Sequence, residues 1–323
     1  MNNWSRAVAV LLAPVMAYAP VGQSADAPSP RAGTVVEIKA DRIVLMDVAN
    51  AGPRLVAVGD MGFAMLSDDA GKTWRAVGTP VTRTLTGVAF SGDKLGVAVG
   101  HGGSIVRTED GGATWTEVPL EEANGESLLG VAALDAGRFA VYGAFGMYFD
   151  SSDGGKTWTR RMVISEDFEA HISQVLPASG ALWMVGEAGT LARSDDGGMT
   201  WLAVPSPYAG SFFGAFVAAD GALVLYGMRG NVWRSADGGV TWQETELGTT
   251  TSLNNGRAMS DGRIVLVGNS GLVATSKDNG QTFTLEWSKA GKGFSAVVEV
   301  PGGTVTVGEG GAAILDPATL TAK

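Results

Sequence analysis

The sequence predicts a seven-bladed β-propeller, in which each blade is a four-stranded antiparallel sheet beside a central channel. Three observations lead to this fold class: an eight-residue motif that occurs six times, a Gly-x-x-Gly motif that occurs seven times, and a repeat period of 41 to 43 residues. A period of that length is typical of stacked or radially arranged units. The segments between the motifs alternate like short strands and lack helical periodicity.

The eight-residue motif begins with Ser or Thr, has Asp third and Gly fifth, and ends in Trp or Phe. Its copies span residues 67–74, 108–115, 151–158, 194–201, 235–242 and 276–283. The aspartate can close a turn by accepting hydrogen bonds from backbone N–H groups one and two residues on, and the glycine can adopt a positive φ. The pattern resembles the Asp-box, or bacterial neuraminidase repeat, a structural turn between the third and fourth strands of propeller blades. The structural aspartates are Asp69, Asp110, Asp153, Asp196, Asp237 and Asp278.

The second motif is an apolar strand that ends in Val-Gly or Tyr-Gly, followed by two variable residues and another glycine. Its copies span residues 58–62, 99–103, 142–146, 185–189, 226–230, 267–271 and 307–311. The seventh unit departs from the Asp-box after Asp316-Pro317, so we interpret it as a blade with a degenerate box. We expect Thr34–Ile38 to form the outer strand of this last blade and close the ring, because an unclosed propeller would leave an exposed edge.

The N-terminal residues resemble a secretory signal peptide, with Arg6 ahead of an apolar run, Ala7 to Ala19, that is too short to span a bilayer comfortably. We expect a signal peptide over residues 1–27, cleaved between 19 and 27, a linker over 28–33, and the propeller over 34–323. This organisation predicts a periplasmic protein without a membrane span once the signal is removed. An uncleaved N-terminal anchor is the alternative.

Composition limits the possible functions. The 323 residues include no cysteine and carry a formal net charge of −10. The acidic balance argues against nucleic acid as a partner. Without cysteine there is no disulfide and no thiolate metal site, and the two histidines, His101 and His171, are too few and isolated for a histidine metal site. We therefore expect no metal and no cofactor.

The variable residues of the Gly-x-x-Gly turns are candidates for partner binding. In the usual strand order, the Asp-boxes lie on one face and these turns lie on the other, together with the connections between blades. The turns would then form a ring around the channel mouth that suits a polar or charged partner. Alternatively, the turns are polar only because they contact water. The charged and titratable members are Asp60, His101, Glu187, Arg229 and Glu309.

Three arginines, Arg107, Arg193 and Arg234, each come immediately before the first residue of an Asp-box. One interpretation is a partner-binding patch that binds carboxylates in a bidentate manner. The other is a set of structural pairs between one blade and an Asp-box acid. The sequence leaves both open.

The known propeller hydrolases have sequence requirements that bear on an enzymatic function. Sialidases with Asp-boxes need an arginine triad, a tyrosine paired with glutamate, and an Arg-Ile-Pro type motif, and the nearest strings here are Arg42-Ile43-Val44 and Arg263-Ile264-Val265. Xyloglucanase-like propellers use paired aspartates in a cleft between two tandem propellers, whereas this sequence predicts one. We predict no catalytic residue and no enzymatic activity. A secreted propeller that binds or hydrolyses glycans is the alternative.

The exported array, with Val-Gly-x-x-Gly turns and Asp-boxes ending in Gly-x-Thr-Trp, resembles the photosystem II stability and assembly factor family over nearly all of residues 34–323. The resemblance implies a non-enzymatic propeller that holds a membrane-protein assembly intermediate on the lumenal or periplasmic side. It also implies an arginine-rich docking surface, to which Arg107, Arg193 and Arg234 could correspond. The sequence departs from the family in lacking the lipid-bearing cysteine of cyanobacterial members and a plastid transit sequence. We expect a monomeric scaffold whose partner is a membrane-protein complex or its periplasmic loops.

Overall fold

The computed structural model describes residues 35–36 and 39–322 as seven antiparallel sheets arranged as blades around a channel. The innermost strand of each blade contacts that of the next blade, and the seventh contacts the first, so the ring is closed. The predicted seven-bladed β-propeller is therefore confirmed. The predicted signal peptide and linker, residues 1–33, lie outside the described residues.

The strands of each blade follow the chain from the channel outward. Blades 1 to 4 consist of β2–β5 (Leu45–Ala51, Arg54–Gly59, Phe63–Ser67, Arg75–Gly78), β6–β9 (Leu85–Ser91, Leu95–Gly100, Ile105–Thr108, Thr116–Glu117), β10–β13 (Leu128–Asp135, Arg138–Gly143, Tyr148–Ser151, Thr159–Arg160) and β14–β17 (Ile172–Ala178, Ala181–Gly186, Leu191–Ser194, Leu202–Ala203). Blades 5 to 7 consist of β18–β21 (Phe212–Val217, Leu223–Gly227, Val232–Ser235, Gln243–Glu244), β22–β25 (Leu253–Ala258, Ile264–Gly268, Leu272–Ser276, Thr284–Ser288) and β26–β28 (Phe294–Val300, Gly303–Gly308, Gly311–Ile314). Two short edge strands complete the fold, β1 (Val35–Val36) and β29 (Leu320–Thr321).

The second strand of each blade is almost entirely buried, because neighbouring blades cover both of its faces. In β7 only Leu95 retains partial exposure, and β23 is buried throughout. The hydrophobic core is accordingly divided among seven clusters, one at each junction between neighbouring blades. Continuous apolar runs in these strands, rather than alternation, are what two-sided burial requires.

Each Asp-box closes its turn with the same set of hydrogen bonds. The first hydroxyl donates to the aspartate over 2.7–2.9 Å and accepts from the N–H of the fifth-position glycine over 2.8–3.0 Å. The seventh-position threonine donates its N–H to the same carboxylate over 2.8–3.0 Å, and its hydroxyl as well. The consistent donor thus lies four residues on, not one or two, because the turn brings the threonine back over the carboxylate. The glycine φ values are positive, between 79° and 94°.

The box carboxylates should stabilise the fold above about pH 4 and lose that effect as the pH falls towards 2. The hydroxyl and N–H of Thr241 lower the pKa of Asp237 from 3.8 to about 2. Between these values the unfolded carboxylate is protonated while the folded one is still charged, so acid favours unfolding. Thr241→Val should raise the pKa of Asp237 towards 3.8 in an NMR titration of the side-chain carboxyl. An unchanged pKa would contradict this assignment of the cause.

The predicted position of the N-terminal strand is wrong. Its described part, β1, pairs antiparallel with β5 on the outer edge of the first blade, Val35 opposite Val77 and Val36 opposite Ala76. The chain that follows does touch the last blade, where the N–H of Ala312 donates to the carbonyl of Ala40 over 3.3 Å. The segment Lys39–Asp41 lies in the groove between blades 7 and 1, and its strand pairing goes to the blade 1 side.

The seventh blade has three strands among the described residues, and the chain leaves it for the sixth. After β28, Asp316 caps a short 3-10 helix, Pro317–Thr319, by accepting the N–H of Ala318. β29 then pairs with β25 on the outer edge of blade 6. Within the described residues, no helix has the length and apolar character needed to cross a membrane.

Candidate functional site

The Gly-x-x-Gly turns and the Asp-boxes lie at opposite ends of the same strands. In blade 2, β8 runs from the turn His101–Gly103 to the box that begins at Thr108. The connections between blades reach the turn end: Thr79, in the connection from blade 1 to blade 2, donates its hydroxyl to the carbonyl of Gly62 over 2.6 Å. We call the surface of the Gly-x-x-Gly turns and connections the turn face, and the opposite surface the box face. The turn face includes residues 60–61, 101–102, 144–145, 187–188, 228–229, 269–270 and 309–310.

The predicted polar ring lies on the turn face, and four of its five members bond to residues that lead into an innermost strand. Asp60 accepts from the hydroxyl of Thr84 over 3.1 Å, and His101 Nδ1 lies 2.9 Å from Ser127 Oγ. Glu187 accepts from the N–H of His171 over 3.1 Å, and Glu309 from the N–H of Gly293 over 2.9 Å. These side chains therefore hold the turn face together. Their part in partner binding stays a prediction.

The second variable position of these turns carries the large exposed apolar side chains and an exposed arginine. Met61, Phe145 and Arg229 occupy it in three blades, with φ between 52° and 58°. This left-handed conformation costs a residue with a side chain roughly 1 kcal/mol. Met61 and Phe145 are nevertheless 54% and 51% exposed, and no hydrogen bond or ion pair involves the side chain of Arg229 within the described part of the chain. The prediction from sequence selected the polar residues of the turns and missed Met61 and Phe145. A large apolar residue at a turn position could have indicated them as candidates.

The arginine column lies on the box face, and two of its members bind the next blade. Arg107 donates to the carbonyl of Gly154, in the box of blade 3, and pairs with Glu109. Arg234 donates to the carbonyl of Asn279 over 3.0 Å, in the box of blade 6, and pairs with Asp220. The side chains of Arg107 and Arg234 are only 13% and 14% exposed. Arg193 differs, because it is 40% exposed, pairs with Asp195 over 2.7 Å and lies 5.9 Å from the ring centre of Trp183.

Two further arginines make the same contact and were missed in the sequence. Arg54 donates to the carbonyl of Gly111 over 3.2 Å, and Arg138 to that of Gly197 over 2.8 Å. Both begin the second strand of a blade, whereas Arg107 and Arg234 are the next-to-last residues of the third. Different strands thus bring a guanidinium to the same carbonyl, the fourth position of the next Asp-box. Comparing the repeats at a single position could not reveal this shared contact, because the arginines lie on different strands. The arginine at the start of two second strands is nevertheless visible in the sequence.

Arg107→Ala should lower the free energy of unfolding by about 1–2 kcal/mol, because a mostly buried guanidinium bonded to a carbonyl and a carboxylate is lost. Arg193→Ala, at an exposed pair, should cost below about 0.5 kcal/mol. Urea denaturation of the two variants measures the difference. Equal losses would mean that the contact between Arg107 and Gly154 does not stabilise the junction.

A channel of about 580 Å³ runs along the innermost strands. Asp47 lines it and accepts the N–H groups of Val48 and of Val88, in the next blade, over 2.8 and 3.0 Å. Burial raises the pKa of Asp47 to about 6. Gln174 makes the corresponding bond to the N–H of Ala215, so acceptor side chains in the channel join neighbouring blades.

The two tyrosines of the Val-Gly column also join blades. Tyr142 and Tyr226 are 4% and 1% exposed, and their hydroxyls lie near the backbone of Val175 and Gly256 in the next blade. Burial raises the pKa of both hydroxyls, which disfavours a phenolate nucleophile. Among the described residues, no group of three or more His, Asp and Glu side chains has the arrangement of a metal site.

Comparison with known proteins shows which of them share this architecture. A family model described as photosynthesis system II assembly factor YCF48 matches residues 125–263, whereas no curated protein sequence matches the chain. A solved structure of YCF48 bound to D1 peptide is 19% identical, with a TM-score of 0.70 over 86% of this chain and 94% of that chain. YCF48 from Cyanidioschyzon merolae is 15% identical, with a TM-score of 0.71 over 88% and 99%.

A glycoside hydrolase also shares the fold. The GH74 xyloglucanase from Xanthomonas campestris is 15% identical, with a TM-score of 0.66 over 86% of this chain and 52% of that chain, so the present chain spans about half its length. At these identities the structural likeness shows the fold alone. Together with the family match over residues 125–263, the shared fold shows that this chain is similar to the photosystem II assembly factor YCF48.

Proposed function

We propose that the protein is an exported, non-enzymatic scaffold that binds a membrane-protein complex through a water-exposed segment and aids its assembly or stability. The docking surface in this proposal is the turn face. The proposal extends the family likeness, in which the matching model describes an assembly factor.

The observation that carries the proposal is the exposure of Met61 and Phe145 on the turn face. Among the described residues these are the two large apolar side chains of the Gly-x-x-Gly turns that are about half exposed, and exposed apolar surface rimmed by polar residues is what an interaction site presents. Both residues occupy left-handed turns, which fix the side-chain direction at a cost to stability. The two apolar residues share this face with Arg229, whose side chain has no hydrogen bond or ion pair to another described residue, and this combination of apolar contact and charge suits a peptide segment.

Charged loops around the same face favour a polar or charged partner. The acidic residues lie in the connections into blades 3 and 4, whereas the basic ones lie in the connections into blades 2 and 7. All are exposed: Glu121, Glu122, Glu126, Glu166, Asp167 and Glu169 on the acidic arc, and Arg83, Lys289 and Lys292 on the basic one. A related propeller, YCF48, has been solved with a D1 peptide bound, which supports peptide binding by this architecture.

Export to the periplasm is a separate part of the proposal and rests on the signal-like residues 1–27. N-terminal sequencing of the protein recovered from a periplasmic fraction should give a start between residues 20 and 28. Recovery with an intact N-terminus would favour the uncleaved anchor instead.

The partner should be lost when the apolar pair on the turn face is removed. Recovery of a membrane protein from detergent-solubilised membranes should fall at least about tenfold for Met61→Ala with Phe145→Ala. Both residues are exposed, so the melting temperature should change little. Arg193→Glu, on the box face, is the matched control and should leave recovery unchanged.

The opposite outcome would mean that the partner binds the box face and not the turn face. Loss of recovery with Arg193→Glu alone would place the partner on the arginine column of the box face. Arg234→Glu is unsuitable for this test, because it would remove a contact to the next blade. If no membrane protein is recovered and the protein hydrolyses a sialoside or glucan, the glycan-active alternative, favoured by the likeness to the xyloglucanase fold, would replace the scaffold.

A further inference from the structure

Four arginines on the box face bond to the Asp-box of the next blade. Each guanidinium donates to the carbonyl of the fourth box residue and also pairs with a carboxylate of its own blade. The contacts to the carbonyls are Arg54 to Gly111, Arg107 to Gly154, Arg138 to Gly197 and Arg234 to Asn279. Each of these guanidinium groups therefore binds oxygen atoms from two blades.

Arg263 is the counterpart in blade 6, but the described part of blade 7 has no Asp-box to meet it. It stands five residues before the first glycine of its Gly-x-x-Gly turn, as Arg54 and Arg138 do. Its Nε donates to Asp261 over 2.7 Å, and neither terminal nitrogen bonds to another described residue. Its side chain is 45% exposed, against 26% for Arg54 and 31% for Arg138. Arg263 thus has the carboxylate partner of the other arginines and lacks the second oxygen.

A second cation lies beside Arg263, at a position where other blades have an acid. In blades 1, 2 and 4 the second box residue pairs with an arginine of its own blade, and it is Asp68, Glu109 or Asp195. In blade 6 this residue is Lys277, which is exposed and has no hydrogen bond or ion pair to another described residue. Ile264 pairs with Ser276 across neighbouring strands, so Arg263 and Lys277 follow each other at the box end of the blade.

Both cations line a cleft of about 840 Å³ between blades 6 and 7. At its box end, no heavy atom lies within 4 Å of a Cβ added at Gly302 or Gly303 of blade 7. Its apolar wall consists of Leu315 and Leu320 of the C-terminal segment, which pack on the hydrophobic cluster of this junction and remain partly exposed. A cleft of this size accommodates a small organic molecule.

The acids near the two cations are already bonded within the chain. They are Asp261 to Arg263, Asp278 to the N–H of Thr282, and Asp316 to the N–H of Ala318. A fourth acid, Glu286, lines the cleft opposite Val273, at a position nearer the turn face than Lys277. The hydrogen-bonding groups left without a partner at the box end are therefore donors, which require an acceptor from a ligand.

We propose that this cleft binds a small organic acid. Its carboxylate bonds to the terminal N–H groups of Arg263 and to Lys277, and its apolar body lies against Leu315 and Leu320. The planar guanidinium matches the two oxygen atoms of a carboxylate, and the neighbouring ammonium adds charge. The ligand thereby supplies the oxygen that a box carbonyl supplies at four other junctions. The site lies on the box face, so it is independent of partner binding on the turn face.

Dansylglycine, a fluorescent carboxylate with an apolar ring system, is a suitable probe, and dansylglycinamide is its uncharged counterpart. In a fluorescence titration the full chain should bind dansylglycine saturably and the amide at least about tenfold more weakly. Arg263→Gln with Lys277→Gln should weaken dansylglycine binding by a similar factor. Arg160→Gln with Lys156→Gln removes the same charge from exposed positions of blade 3 and should bind like the parent.

Three results of these titrations would overturn the proposal. They are the absence of saturable binding, which would also follow if another part of the chain fills the cleft, equal affinity for the acid and the amide, and equal affinity of the two double variants when both melt like the parent. NMR checks the location, because dansylglycine should shift the backbone amide signals of Thr275 and Leu315. Shifts confined to other residues, such as Gln174 in the channel, would place the probe elsewhere and contradict the proposal.

Discussion

Gly308→Ala is expected to lower the free energy of unfolding by about 3 kcal/mol, at the upper end of overpacking effects. Gly308 ends β27, and a Cβ at this position would overlap the carbonyl oxygen of Gly293 and lie 2.9 Å from Cα of Phe294. Both neighbours are backbone atoms at the start of the innermost strand of the same blade. They cannot rotate away as a side chain could, so the strand itself would have to move.

The same close approach explains why a glycine follows the valine or tyrosine in every repeat. At each of these glycines an added Cβ would overlap the backbone that leads into the innermost strand of the blade. Their φ values are not in the left-handed region, so it is space and not conformation that requires glycine. The seven positions are Gly59, Gly100, Gly143, Gly186, Gly227, Gly268 and Gly308.

Gly303→Ala provides a matched control on the same strand. Gly303 begins β27, its φ is not in the left-handed region, and no heavy atom lies within 4 Å of an added Cβ. Alanine there should change stability by at most about 0.5 kcal/mol, and restricting the unfolded chain should make the change favourable. Urea denaturation of the two variants measures the contrast. Similar losses would show that the close approach at Gly308 is not what requires glycine.

The repeats were sufficient to predict the propeller, because each motif records a local requirement that recurs in every blade. The box aspartate needs a threonine four residues on, and the turn needs glycines for space. The strand pairing of the chain ends is not recorded in any repeated motif. Val35 and Val36 could have paired with either of two adjacent sheet edges, and which edge they pair with depends on the path of residues 39–41 between blades 7 and 1.

The residues of the candidate site were only partly predictable from the sequence, for a related reason. The sequence located the Gly-x-x-Gly residues and the arginine column, yet it did not reveal that Arg107 is committed to the carbonyl of Gly154. Contacts between blades join residues about 40 positions apart, and their geometry depends on the twist of the ring. The side-chain directions of Met61 and Phe145 follow from positive φ values, which for residues other than glycine are difficult to predict from sequence.

Ionisation of Asp47 is expected to cost the folded protein about 2 kcal/mol of stability as the pH rises from 4 to 7. Burial raises the pKa of Asp47 from 3.8 to about 6, against the hydrogen bonds from Val88 and Val48 and the nearby charge of Arg257. Asp47 is nevertheless only partly buried as a residue, and it lines the channel. Contact with channel water reduces the penalty, so the expected loss is smaller than the full shift would imply.

The direction of this pH effect depends on whether the folded or the unfolded state binds the Asp47 proton. Between pH 4 and 6 the unfolded chain has released the Asp47 proton, whereas the folded protein still binds it. Raising the pH therefore favours the unfolded state until the folded carboxyl also ionises near pH 6, and above that the effect is constant. The box aspartates act in the opposite direction at lower pH, because the pKa of Asp237, for example, is lowered to about 2.

Asp47→Asn should remove this cost, because an amide does not ionise, so the stability of the variant relative to the parent should rise between pH 4 and 6. Asp237→Asn is the matched control, with the same change of side chain in a box whose carboxylate ionises well below this range, and it should keep the cost. Urea denaturation at pH 4, 5, 6 and 7 compares the three proteins. If Asp47→Asn retains the parent slope, or if NMR titration gives Asp47 a pKa below 4, the bonds from Val48 and Val88 outweigh burial and the channel holds a permanent negative charge.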